Sequence, residues 1–198
     1  MVDVSNLAHP VEIGAYDTHN YAVGVAVDGS YAYVVVMGTA GTAGLHVVDI
    51  SDPADPNGVG FCQSVGMPRD IVTVDGVAYV ANEWGLELID VSSAYSPTVA
   101  GHISLQGEEW AATAGVAVSG TLAYVAGDGG LYTIDVSSPT SPTLVSNFFV
   151  SEGCFDADVA EDRAYLTGGG NCLRVVDVSE PVLAENSIRP KNVLLAST

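Results

Sequence analysis

The stretch Gly115-Val116-Ala117-Val118-Ser119-Gly120 runs on through Ala123-Tyr124-Val125 and Gly130-Leu131 to Ile134-Asp135-Val136-Ser137. It holds three short apolar segments, each alternating or in a brief run, with Gly and Ser between them. That pattern fits short strands and tight turns and carries no helical period. Its closing tripeptide returns along the chain at Asp3-Val4-Ser5, Asp49-Ile50-Ser51, Asp90-Val91-Ser92, Asp135-Val136-Ser137 and Asp177-Val178-Ser179. The intervals are 46, 41, 45 and 42 residues. A tyrosine after alanine marks each repeat at Tyr33, Tyr79, Tyr124 and Tyr165. Gly-Leu precedes the Asp at Gly44-Leu45, Gly85-Leu86 and Gly130-Leu131, and Cys172-Leu173 takes that place in the last repeat.

A period in the low forties is that of a four-stranded propeller blade. The second full repeat divides accordingly into Asp70 to Val74, Ala78 to Ala81, Leu86 to Val91 and Thr98 to Ile103. Asp75-Gly76 makes the tight turn between its first two strands. Ser96-Pro97 and Ser141-Pro142 lead into fourth strands. The expected fold is all-β: a propeller of four repeats starting near residues 20, 66, 111 and 153. A partial repeat, 1–19, precedes them, the repeats end near 185, and a tail follows over 186–198. A β-helix is the alternative, although its coils are shorter.

These residues resemble the LVIVD-repeat family, from Val2 to about Pro181. The resemblance implies β-propeller repeats of exported or surface bacterial and archaeal proteins, with no settled activity. The first full repeat departs from the pattern by an insert, Met37 to Ala43. The last repeat lacks the Pro-rich lead, and the tail with Arg189 and Lys191 does not fit it.

Charge narrows the partners. Five Lys+Arg against 24 Asp+Glu give a formal net charge of −19. Such a surface repels nucleic acid and anionic membranes and leaves cations, basic protein surfaces or carbohydrate as candidates. No apolar run reaches the length of a membrane span. The N-terminus has no basic region followed by a long apolar one, so it does not read as a signal peptide, and the chain starts inside a repeat. An extracellular, periplasmic or cell-surface location is the expectation.

The partial repeat supplies a fourth strand, Val11 to Tyr16. It can complete the last blade within one chain, or two chains can meet edge to edge as an eight-bladed homodimeric ring. Counting nine residues back from each repeat tyrosine gives Gly24, Asp70, Gly115 and Asp156. Asp158 shares a face with Asp156 by the two-residue period. Carboxylates at a channel mouth suit Ca²⁺, or an acid/base pair acting on glycans, or hydrogen bonds to the backbone of a neighbouring blade. The loops expected on the same rim carry His19, Tyr21, Met67, Arg69, Glu83, Trp84, Glu108, Glu109, Trp110, Asp128 and Phe155. Aromatics beside carboxylates there suit a sugar or a basic peptide. The Asp-x-Ser acids are expected to form local turns. Gly127 to Gly130 and Gly168 to Gly170 lie between strands and are not phosphate loops. Cys154 and Cys172 are a disulfide candidate, and Cys62 reads as a buried apolar residue.

No nucleophile elbow or zinc motif is present, and His9, His19, His46 and His102 are scattered. The leading expectation is therefore a non-catalytic binding or assembly module. A carboxylate-based glycan hydrolase and a purely structural segment of a larger surface protein are the alternatives.

Overall fold

The computed structural model describes residues 1–38, 41–64, 66–105, 113–169 and 172–179. Its ordered elements are all strands. A short pair, β1 (Val2–Asp3) and β2 (Val11–Glu12), comes first. The first sheet contains β3 (Tyr21–Asp28), β4 (Tyr31–Met37), β5 (Gly44–Asp49) and β6 (Asn57–Gln63). The second contains β7 (Pro68–Val74), β8 (Val77–Asn82), β9 (Gly85–Asp90) and β10 (Thr98–Ser104). The third contains β11 (Thr113–Ser119), β12 (Leu122–Gly127), β13 (Gly130–Asp135) and β14 (Thr143–Phe148). The last contains β15 (Cys154–Ala160), β16 (Arg163–Gly168) and β17 (Cys172–Asp177).

Each sheet is an antiparallel meander in chain order, four strands in the first three and three in the last among the described residues. Antiparallel meanders are the blade pattern of a propeller, and they exclude the parallel coils of a β-helix. The four strands read from the second repeat all form; the first, second and fourth are longer by a residue or two than the sequence pattern marks, and the third keeps its length but starts and ends one residue earlier. Asp75 and Gly76 both have positive φ, 50° and 77°, which fits a type I′ hairpin turn.

The sheets stack face to face in a row, with their first strands β3, β7, β11 and β15 side by side. A core fills each gap. Tyr33, Val35, Leu45 and Val47 of the first sheet meet Ile71, Ala78, Val80 and Ile89 of the second. Tyr79, Ala81, Leu86 and Leu88 then meet Val116, Ala123, Val125 and Ile134. Tyr124, Ala126 and Leu131 meet Ala157, Ala164 and Leu166. Alternation along the strands makes this possible, because both faces of every inner sheet are apolar. The row is propeller-like and does not close on itself.

The strand expected over Val11 to Tyr16 is ordered as β-structure only at Val11–Glu12, paired with β1. Its neighbour β1 is only two residues long, so the paired ladder is short. The amide of Ile13 still donates to the carbonyl of Met1 at 3.0 Å, continuing the ladder by one step.

Candidate functional site

Two loop sets meet at one rim of the row. They are the connections from fourth to first strands and those from second to third strands. The amide of Glu83 donates to the carbonyl of Met67 at 3.1 Å. The Trp84 indole lies over Gly66, a Cβ of Gly153 would lie 3.1 Å from Asp128 Cα, and Gly169 is closed in by Glu152. Asn82 holds the rim locally. Its Oδ1 accepts from the amides of Trp84 (2.9 Å) and Gly85 (3.1 Å). Thr113 Oγ1 of the next sheet donates to the Asn82 carbonyl.

This rim carries most of the residues the sequence pointed to. Tyr21, Met67, Trp84 and Phe155 are exposed on it. His19 is exposed with positive φ (59°), held by Asp17, whose carboxylate accepts from the His19 amide at 2.7 Å. Arg69 and Asp128 are exposed and Glu83 is half-buried. Arg69 reaches the Met37 sulfur at 3.7 Å. Glu108, Glu109 and Trp110 lie outside the described residues.

The inner-strand acids separate. Asp70 is half-buried, and its Oδ2 accepts from the amide of Val116 in the next sheet at 2.9 Å. Burial pushes this carboxyl up, the Val116 and Ile71 amides pull it back down, and the charge of Asp156 raises it further. Asp156 and Asp158 are exposed on either side of buried Ala157, as the two-residue period requires. Each accepts from the amide that follows it, Ala157 at 2.9 Å and Val159 at 2.8 Å. Among the described residues no three His, Cys, Asp or Glu side chains converge as metal ligands. Within one copy, then, Asp70, Asp156 and Asp158 form no cation cradle, and Asp70 serves as a strap between sheets.

The Asp-x-Ser turns stand at the other ends of the strands. Asp3, Asp49, Asp90, Asp135 and Asp177 each accept from the amide of the serine two residues on, at 2.8–3.0 Å. The serine hydroxyl, first at Asp90, Asp135 and Asp177, and the serine amide, first at Asp3 and Asp49, together hold all five carboxyls below the usual aspartate value.

The LVIVD repeat model matches residues 1–18, 20–64, 65–104, 112–150 and 156–183. The chain belongs to the LVIVD repeat family. Among solved structures this LVIVD-repeat protein is similar to the computationally designed Ika4 protein. The TM-score is 0.64 at 12% identity, with 84% of this chain and 98% of that chain covered. It is also similar to the computationally designed Ika8 protein, with a TM-score of 0.61 at 11% identity and 82% of this chain covered. There it spans 47% of the other chain, about half its length. At such identity these likenesses speak for the fold alone. No curated protein matches the sequence.

Cys154 and Cys172 of the last LVIVD repeat both stand opposite Gly168, on the strands flanking it. Two strand spacings put their Cα atoms roughly 10 Å apart, so a bridge requires β15 or β17 to shift at that end. The side chain of Cys172 lies outside what is described. Cys62 is buried, as its apolar setting suggested, and burial beside Glu87 raises its thiol.

Sequence reading missed Glu87. It is fully buried between the first two sheets and accepts from Ser64 Oγ at 2.6 Å. The signal was present: a lone acid within the apolar run Leu86-Glu87-Leu88-Ile89. It also missed Asn82, the residue that shapes the Trp84 loop.

Proposed function

We propose that this LVIVD-repeat chain is a non-catalytic binding and assembly module of an exported or cell-surface protein. It engages a protein or carbohydrate ligand through the loop rim, and other copies of itself through the ends of the row. One observation carries the reading. Tyr21, Trp84 and Phe155 stand exposed on a single rim, beside the carboxylates of Glu83, Asp128 and Asp156. Exposed aromatics over a rigid sheet scaffold are the side chains that anchor interfaces, because they bury much area for little lost freedom. With a net charge of −19, the favoured protein ligand is basic.

The inner acids fit a structural part in this module. Asp70 is engaged by a neighbouring backbone amide, and Asp156 and Asp158 by their own strand, so no pair is poised around a shared reacting atom.

The test is a binding titration with an oligo-lysine peptide and with neutral oligosaccharides as probes. At least one probe binds, and Trp84→Ala or Tyr21→Ala weakens it about tenfold or more, the scale of an interface anchor. Asp156→Asn and Asp158→Asn leave the sheets folded. Unaltered binding in both aromatic variants, or turnover of a glycan that the Asp variants abolish, overturns the reading.

A further inference from the structure

The two ends of the row are unfinished interior surface. Each sheet has a forward face, toward the next sheet, and a backward face, toward the previous one. The register assigns equivalent forward positions to Leu45, Leu86, Leu131 and Leu173, each opposite a residue two after the repeat tyrosine or its counterpart. The first three are 0%, 1% and 1% exposed, whereas Leu173 is 64% exposed. Val47 and Leu88 are both 0% exposed, but Val175 at the same place is 52% exposed. On the backward face, Ile71, Val116 and Ala157 are 5–6% exposed, and Val25 at the same place is 63% exposed. Val27, one alternation on, is also exposed. The bare forward face of the last sheet therefore has the residues that elsewhere cover the bare backward face of the first.

Three further features bear on what covers them. The last sheet has no fourth strand among the described residues. The N-terminal segment holds a fourth-strand place in front of the first sheet. Gly14 packs against the carbonyl of Pro53 in the same way that Gly60 packs on Ala94 and Gly101 on Pro139. Each of those glycines follows its Asp-x-Ser aspartate by 11 residues. The third feature is an alternation along the inner strands: Gly24, Asp70, Gly115, Asp156. Asp70 reaches forward to the amide of Val116, which follows Gly115. Glycine there permits the approach: a Cβ on Gly24 would lie 3.3 Å from Asp70 Cα, and one on Gly115 2.9 Å from Asp156 Cα. The next partner in the series for Asp156 is the amide of a valine that follows a glycine, and the one unused pair is Gly24-Val25.

Resting on the assembly reading above, we infer that a second copy of this chain completes the row head to tail into an eight-bladed ring. Leu173 and Val175 of each copy pack on Val25 and Val27 of the other. The Asp156 carboxylate accepts from the Val25 amide of the second copy, repeating the Asp70 strap. Residues Val11 to Tyr16 become the fourth strand of the second copy's last sheet, with Val11 opposite Asp177 as it is now opposite Asp3. Strand β1 is then a placeholder. It carries the same Asp-Val-Ser as the end of β17, occupies its position with two residues, and yields it when the second copy docks.

The experiment is light scattering after size exclusion on the full chain. The wild type runs at twice the 20.3 kDa chain mass, more completely at higher salt because two strongly acidic copies repel. Val25→Asp and Leu173→Asp each run as single chains. Because both sites are exposed in one copy, each variant keeps the wild-type circular dichroism and still unfolds cooperatively, losing only the concentration-dependent stability that the seam adds. An equimolar mixture of the two variants regains the double mass, since one seam of that pair keeps both apolar faces. Leu144→Asp, on the outer strand β14, stays double. A wild type at single-chain mass, a double mass that survives both charge variants, or a mixture that stays at single-chain mass overturns the inference. The oligo-lysine and oligosaccharide titrations run on single-chain Leu173→Asp separate the two readings: unaltered rim binding there leaves the module standing whether or not the seam does.

Discussion

The gap between the second and third sheets and the free end of the last sheet use the same residue types at the same register positions. Leu86 and Leu88 face Val116, Val125 and Ile134 across a filled core. Leu173 and Val175 face nothing among the described residues. The difference shows that burial in this fold belongs to the neighbour and not to the repeat. A blade cannot hide its own forward face, so each repeat depends on the one that follows it. It also shows that the strand pattern alone does not reveal which repeat is last.

The sharpest way to break the comparison is to delete the same side chain at both places. Leu86→Ala opens a cavity between two sheets and costs roughly 2–5 kcal/mol in urea unfolding. Leu173→Ala, measured in dilute protein, falls within about 0.5 kcal/mol of the wild type. If the free end is covered by another copy, the cost of Leu173→Ala grows with protein concentration, while that of Leu86→Ala stays high throughout. Equal costs in dilute protein contradict the open end.

A smaller effect probes the inner strands. Gly115→Ala forces a methyl against Asp156 and costs about 1–3 kcal/mol as an overpacked contact. Val25→Ala, at the neighbouring position of the first sheet, stays within about 0.5 kcal/mol in dilute protein because Val25 is exposed among the described residues. Matching losses at the two sites show that the first sheet is already covered.

The smallest effect is in pH dependence, and here two sets of aspartates have opposite signs. The five Asp-x-Ser carboxyls are held below their usual value. Their contribution is present above the unfolded-state pKa and is lost as pH falls through the lowered folded values. Asp70 is raised, so the folded state keeps its proton longer, and this site favours folding as pH falls through the raised value. Asp90→Asn therefore loses stability relative to wild type at neutral pH and converges with it in acid. Asp70→Asn gains most at neutral pH, because the amide oxygen still accepts from Val116 without a buried charge. Urea unfolding at neutral and acid pH, read for both variants, checks the crossing.

Much of the architecture was legible because the repeat marks its own strand ends. Asp75-Gly76, Ser96-Pro97 and the Asp-x-Ser tripeptides each fix a local turn through their own backbone chemistry, so they act alike in any context. The inner-strand count also put Asp70, Asp156 and Asp158 on one line of the sheet series. What each acid does was not legible. Asp70 and Asp156 occupy the same repeat position, yet among the described residues only Asp70 has a following sheet to bond. The rim residues His19, Tyr21, Arg69, Glu83, Trp84 and Asp128 came from loop position alone. Part of their arrangement comes from Asn82, whose side chain shapes the Trp84 loop, and from Thr113, whose hydroxyl donates to the Asn82 carbonyl of the preceding repeat. Glu87 stayed hidden because alternation assigns it a face without saying what covers that face.

A head-to-tail seam carries no stopping number of its own. Contacts that join one copy's last sheet to another's first can be repeated without limit, and only the bend between successive sheets determines whether the second junction meets the first. If the turn per sheet is slightly too small or too large, the same contacts wind into an open filament that scatters light and lengthens with concentration. In the proposed assembly the glycines at Gly24 and Gly115, which set how closely neighbouring inner strands approach, bear on the number of copies as well as on the packing of one junction.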